Sequence, residues 1–117
     1  MKRALIVAHH RSTRDALFSA LEQAGYEVDC VATKNEARVL LDISEHDVLI
    51  ANDRLPDGRG YDVAVAAEEL GAKSYLVTDT AGGADELTLA PVGHPNERQC
   101  LGEQGLTDLL RRLAEED

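Results

Sequence analysis

The chain has 117 residues, enough for one domain around one core, and 44% of them are hydrophobic, enough to fill that core. Its 22 acidic against 12 basic residues give a net charge of -10, which opposes binding to a phosphate backbone, and with no Trp and 3% aromatic content it offers no stacking platform for bases, so nucleic acid is not expected as a direct partner. The apolar runs are too short to span a membrane, Met1-Lys2-Arg3 leads straight into a strand-like run rather than a signal peptide, and Cys30 and Cys100 are too few and too scattered for a zinc or disulfide framework, so a reduced, cytoplasmic setting is expected.

Ala4–Ala8 (ALIVA) is a short apolar run and reads as a central strand. His9, His10 and Arg11 form the turn after it. Ser12 or Thr13 can cap a helix running to about Ala24, with Asp15 near its positive end and Ala16, Leu17, Ala20, Leu21 and Ala24 as its inward stripe. Gly25 stops that helix. Tyr26–Val31 alternates apolar with acidic residues, as expected of a strand with one wetter face at a sheet edge. Thr33 to Glu36 is a T-x-x-E capping box opening a helix that carries Ala37, Leu40 and Leu41. Asp47–Ala51 is the next buried strand, and it ends in a polar turn containing Asn52, Asp53, Pro56, Asp57, Gly58 and Gly60. Tyr61–Leu70 reads as a helix with Val63, Ala66, Ala67 and Leu70 inward, ended by Gly71, and Ser74–Thr78 as the fourth strand. The order βαβαβαβ implies a parallel sheet with right-handed crossovers.

The pattern then weakens. Asp79–Asp85 contains two adjacent glycines and cannot hold a full helix. Glu86–Ala90 reads as a fifth strand ended by Pro91. Val92–Gly105, with Gly93, Pro95, Gly102 and Gly105, reads as an irregular loop, and Thr107–Ala114 as a last helix with Leu109, Leu110 and Leu113 inward.

The stretch Asp47–Gly60 resembles the third strand and following loop of response-regulator receiver domains. In that family the strand ends in a phosphate-accepting Asp, with a Pro four and a Gly eight residues later; here Pro56 and Gly60 hold those two places and Asn52 holds the acceptor place. The resemblance runs over nearly the whole chain and is strongest from Arg3 to Thr78. It implies a flavodoxin-like (CheY-like) α/β sandwich in three layers, a five-stranded parallel sheet in the order 2-1-3-4-5, and a fourth crossover helix reduced or missing, in a single domain spanning residues 1–117. Counting back from the Gly25-Tyr26 turn puts Ala8 and His9 at the family's Mg²⁺-holding acidic pair. Thr78 keeps the hydroxyl that senses the phosphate. Gly83–Pro91 is similar to the family's Gly-Ala-Asp-Asp-Tyr-x-x-Lys-Pro, which places Leu87 at the switch aromatic and Ala90 at the lysine.

Those substitutions carry a chemical expectation. Mg²⁺ wants carboxylate oxygens, and Ala8, His9 and Asn52 offer none. An amide is a poor nucleophile for phosphoryl transfer, and the cations that neutralise the transferring oxygens are missing too. His9 and His10, adjacent at a strand end, point to opposite sides and cannot chelate alone; further ligands would have to come from Asn52, Asp53 or His94. His9 is instead expected to fill the former acidic pocket and to hydrogen-bond Asn52 or a backbone group. Strand alternation sends Asp53 away from the Ala8–Asn52 side, leaving it a solvated loop acid. No metal, no cofactor and no enzymatic activity are expected. The expected function is that of an atypical receiver, a phosphorylation-independent protein-interaction module in bacterial-type two-component signalling, with a histidine kinase, a phosphotransfer protein, a downstream effector or a second copy as partner. A small-ligand or metal sensor using the pocket at Ala8, Asn52 and Thr78 is the alternative. Loss of the fourth crossover helix is expected to leave Val77, Leu87 and Leu89 short of cover and so to make them the docking surface.

Overall fold

The first three strands are short because the apolar runs that make them are short. In a computed structural model, which describes residues 2–79, 87–94, 97 and 99–115, β1 spans Arg3–Val7, β2 Glu27–Val31 and β3 Val48–Asn52. Helices α1 (Arg11–Gln23), α2 (Lys34–Ile43) and α3 (Gly60–Glu69) follow them in turn, with a two-residue hairpin, β4 (Arg54–Leu55) and β5 (Gly58–Arg59), between β3 and α3. Then come β6 (Lys73–Asp79), β7 (Leu87–Pro91), β8 (Gln99–Leu101) and α4 (Glu103–Glu115). The main sheet is ordered β2-β1-β3-β6-β7-β8, and β2, β1, β3 and β6 are parallel. This is the flavodoxin-like arrangement expected of the chain, with two departures taken up below.

Strand alternation builds the two halves of the core. Ala4, Ile6, Val48 and Ile50 face one layer, where they pack with Leu17, Ala20 and Leu21 of α1 and Leu106, Leu110 and Leu113 of α4. Leu5, Val7, Leu49 and Ala51 face the other, with Ala37 of α2 and Val63, Ala64 and Ala67 of α3. All five residues of β3 are buried, as a central parallel strand covered on both faces requires. The Tyr26 hydroxyl donates to the Leu110 carbonyl (3.0 Å) in the interior, tying the start of β2 to the last helix.

The end of α1 forms as the sequence indicates. Gly25, at φ 94°, takes the left-handed conformation, the Tyr26 N–H reaches back to the Leu21 carbonyl and the Gly25 N–H to that of Glu22, closing the helix in the Schellman manner. Its start differs. The helix begins at Arg11 with His10 as N-cap, neither Ser12 nor Thr13 caps it, and Asp15 lies outside the first turn, beside Arg11 (3.6 Å).

Two larger differences follow β6. The fifth strand of the sheet, β7, runs antiparallel to β6, with Asp79 opposite Leu87 and Tyr75 opposite Pro91. Seven residues separate Asp79 from Leu87, whereas a crossover returning the chain to a parallel neighbour takes a dozen or more. A helix between these strands is therefore not needed by the topology; residues 80–86, where the glycine-rich connector was read, lie outside the described residues. The second difference is an added sixth strand. Part of the stretch read as a loop is β8, antiparallel to β7, with Leu87 opposite Leu101 and Leu89 opposite Gln99. The helix α4 then starts at Glu103, four residues before the expected Thr107, and accommodates Gly105 in its first turn.

These changes remove the docking surface expected at Val77, Leu87 and Leu89. The three are buried, in the layer that holds Leu106, Leu110 and Leu113. The earlier start of α4 brings Leu106 onto this layer, and β8 takes up the hydrogen-bonding edge of β7. Cover over these three residues comes from the chain's own C-terminal segment.

Candidate functional site

The carboxyl ends of β1, β3 and β6 converge on one side of the molecule, where open α/β sheets place their sites. The close fit there is enforced by a glycine. Gly60, the first residue of α3, lies against the Asn52 carbonyl so tightly that a Cβ at position 60 would overlap that oxygen. Its N–H donates to the Asp53 carbonyl (3.0 Å), and the Asp53 N–H donates to the Val77 carbonyl (3.0 Å), which locks the loop after β3 onto β6. A shallow cavity of about 230 Å³ opens above these bonds, lined by His10, Asn52, Asp53, Arg54 and Thr78.

Of the positions singled out from the sequence, Asn52 and Thr78 meet in this cavity. Asn52 is 6% exposed. Thr78 is exposed. Ala8 lies fully buried in the core and does not line the cavity. His9 is exposed and does not line it either; its ring meets that of His10 edge-on, centroids 5.5 Å apart, and the expected bond from His9 to Asn52 is not formed. Ala90 is half-buried beside Leu76, not beside Thr78. Because β7 runs backwards, Thr88 is the residue opposite Thr78, and Ala90 falls two residues, about 7 Å, further from the cavity. Among the described residues, no group of three or more His, Cys, Asp or Glu side chains is placed to hold a metal ion.

The sequence reading missed three lining residues. Asp53 does not turn away, because β3 ends at Asn52 and strand alternation ceases there. Arg54 enters from β4 and His10 from the N-cap of α1, and the signal for them was their place just beyond a strand end. A fourth omission lies in the same loop. The Asp57 carboxylate accepts from the Lys34 N–H (2.8 Å) and the Asn35 N–H (3.0 Å), while Thr33 accepts from the Glu36 N–H (3.2 Å). All three first amides of α2 are thereby satisfied, and Lys34 pairs across to Asp62 of α3 (3.1 Å). The Lys34 amide first, then that of Asn35, holds the Asp57 carboxyl below the usual carboxylate range.

With this geometry in hand, solved structures identify the class. A response regulator receiver domain protein of Methanospirillum hungatei is 31% identical, with 70% of this chain and 67% of that one covered and a TM-score of 0.62. The non-phosphorylated HemR receiver domain of Leptospira biflexa is 30% identical, over 71% of this chain and 68% of that one, at a TM-score of 0.59. A chemotaxis response regulator of Vibrio cholerae, 18% identical, shares the fold over 97% of this chain and 98% of its own at a TM-score of 0.64. No protein-family model matches the sequence, and no curated protein aligns with it significantly. The chain belongs to the response-regulator receiver family. That family serves two-component signal transduction, in which receivers act on other proteins such as kinases and effectors. No helix among the described residues is long and apolar enough to cross a membrane.

Proposed function

We propose that this receiver works without phosphorylation, as a binding module rather than an enzyme, engaging a histidine kinase, a phosphotransfer protein, a downstream effector or a second copy of itself. The observation that carries this reading is Asn52, a buried residue at the end of β3, where the sequence resemblance puts the family's phosphate-accepting aspartate. An amide does not form an acyl phosphate, Ala8 is sealed in the core, and Ala90 offers no charge to a transferring phosphoryl group. With Val77, Leu87 and Leu89 buried, docking is assigned to the helices. There, among the described residues, Phe18 on α1, Val39 and Ile43 on α2 and Tyr61 on α3 are the large apolar side chains that stay exposed within the helices. Helix α1 is the first surface to test.

The test is intact-mass analysis after incubation with acetyl phosphate and Mg²⁺, on the natural chain and on Asp53→Asn. No adduct is expected on either. An adduct that hydrolyses as an acyl phosphate and disappears in Asp53→Asn would overturn the reading and make the neighbouring aspartate the acceptor. Asn52→Asp alone is expected to stay unmodified, because the positions of the acidic pair and the lysine remain without their charges.

A further inference from the structure

The two faces of the main sheet are covered unequally. On the face of Val77, Leu87 and Leu89, α1 and α4 bury all three. On the opposite face α2 and α3 pack over β1 and β3, with Leu76 at the margin, and the cover thins from there. Strand alternation puts Thr78, Thr88 and Ala90 on this second face, with Cys100 opposite Thr88. Leu76, Thr88 and Ala90 are half-buried, and Thr78 and Cys100 are exposed. A groove of about 410 Å³ lies between α3 and the turn after β7. One wall is a stripe of α3 at helical spacing, Tyr61, Val65, Glu68 and Glu69, while Val63, Ala64 and Ala67 face the core. The other wall is the turn at Val92 and His94. The groove is apolar where Val65 and Val92 join the core beneath α3, and Tyr61 adds an aromatic ring that is 47% exposed. It is acidic at one end. Glu68 and Glu69 stand in the last turn of α3, where the helix dipole is negative, and no basic residue stands in that turn. Acids placed there work against the helix that carries them. His94, across the groove, leans on Glu97 (3.9 Å).

We infer that this groove docks a cationic amphipathic helix of another protein, with the helix's apolar stripe on Tyr61, Val65 and Val92 and its Lys or Arg side chains on Glu68 and Glu69. The inference rests on the reading of the chain as a binding module and names the partner's chemistry at one of its surfaces. Shape decides for a helix. The 10 residues of α3 make a wall about 15 Å long, which about three turns of a helix lying alongside would match. Such a helix sets its anchors on one face, at the same spacing as the stripe it meets. A small molecule is held by burying about 70–90% of its surface, and a groove walled by exposed Tyr61, Glu68, Glu69 and His94 does not do that. Charge decides the sign. A Lys or Arg brought to Glu68 and Glu69 meets two carboxylates and the negative end of α3 together. Charge also decides against a second copy in this groove. Each copy carries a net charge of -10, and a two-fold contact here would bring two acidic helix ends into one interface.

The experiment is a titration of the uniformly ¹⁵N-labelled chain, at physiological ionic strength, with three synthetic helical peptides of equal length. One carries leucines along one face with lysines beside them, one has glutamates in place of those lysines, and one has the first peptide's composition in scrambled order. The first is expected to saturate, with amide shifts centred on Tyr61, Val65, Glu68, Glu69 and Gly93. The scrambled peptide is expected to bind about tenfold more weakly or worse, and the glutamate peptide not to bind. Tyr61→Ser is expected to weaken the first peptide about tenfold or more, and Glu68→Gln combined with Glu69→Gln about three- to tenfold. All three positions are exposed. The double variant is expected to melt no lower than the natural chain; a lower melting temperature would make the two acids structural and overturn their docking role. Shifts centred elsewhere, equal binding by the scrambled peptide, or an affinity unchanged in the double variant would overturn the assignment. Concentration-dependent self-association that shifts the same amides would put a second copy in the groove and overturn it as well. An acyl phosphate in the mass experiment would overturn the phosphorylation-independent reading alone. A titration without saturation would overturn the groove alone and leave α1 as the surface to test.

Discussion

Up to Asp79 the molecule is built by repetition; after Asp79 it is built by reversal. In the first region β1, β2 and β3 are each followed by a helix that carries the chain back across the sheet, and the four strands β2, β1, β3 and β6 share one direction. In the second, β7 and β8 pair antiparallel beside them and the helix α4 closes the fold. Both regions bury apolar residues: Ile6 and Ile50 on one side of Asp79, Leu89 and Leu110 on the other. The difference teaches that apolar patterning specifies which face of a strand is buried but not which way the strand runs. Alternation with period two reads the same in both directions. Direction is set by the connection, and seven residues between Asp79 and Leu87 permit a hairpin-like return but not a crossover.

The sharpest way to break this comparison is at Leu87. If the second region lacked cover, Leu87→Asp would leave the fold intact and weaken association. With Leu87 6% exposed in the layer of Leu106 and Leu110, the substitution buries a carboxylate with no partner. A loss of about 4 kcal/mol or more is expected, a large share of a typical domain's stability. Urea denaturation followed by circular dichroism measures it, and a stable, folded Leu87→Asp chain would restore the docking surface at this edge.

A smaller effect is expected in the first region, at Gly60. Gly60→Ala forces a methyl group into the Asn52 carbonyl, so α3 and the loop after β3 must separate. Overpacking of this kind costs about 1–3 kcal/mol. Amide shifts at Asn52, Asp53 and Thr78 are expected with it, because the bonds from Gly60 to Asp53 and from Asp53 to Val77 run through the same loop. A variant with unchanged stability would mean that the loop can move away without loss.

The link between the two regions is the next step down. Tyr26→Phe removes the buried bond to the Leu110 carbonyl and leaves that carbonyl without its hydroxyl donor. An expected loss of about 1–2 kcal/mol in thermal or urea unfolding follows, and none would mean that α4 is held by its leucines alone.

How far the sequence could be read follows the same division. The apolar runs at Ala4–Ala8 and Asp47–Ala51, the glycine at 25 and the capping box at Thr33 gave the first region element by element, because each signal is local. Gly60 was legible as a place in a motif, and the structure supplies its reason in the Asn52 carbonyl. In the second region the expectation of a parallel fifth strand came from the family resemblance, although the short connection already opposed it. The segment Gln99–Leu101 was hidden because three residues flanked by glycine and proline carry too little pattern to separate a short edge strand from a loop. At the site, Asn52 and Thr78 were legible as strand-end residues. Arg54 and Asp53 were not, since their place in the cavity depends on how the hairpin Arg54–Arg59 folds. The Asp57 cap was not legible either, because its partners lie 22 and 23 residues away.

That cap gives the smallest effect and the one with a pH signature. Asp57 is wholly exposed, so the measurement is a comparison of variants and not a large loss. The amides of Lys34 and Asn35 lower its folded pKa beneath its ordinary value of 3.8. A carboxyl whose folded pKa is depressed stabilises the fold at pH values above the unfolded pKa, and that contribution is lost as pH falls through the folded value. Asp57→Ala, which removes both acceptors, is therefore expected to melt below the natural chain from pH 7 down to about 5, with the gap closing below pH 4. Asp57→Asn keeps one acceptor without the charge; its gap at pH 7 is expected to be the smaller of the two, and the natural chain's advantage over it is likewise expected to fade on acidification. Thermal unfolding of the three chains across this range checks both. Melting curves for the natural chain and Asp57→Ala that stay equally far apart at pH 3 and pH 7 would show that the contribution of Asp57 does not depend on its ionisation, and the N-terminus of α2 would then rest on Thr33 and on hydrogen bonding by Asp57 in either protonation state.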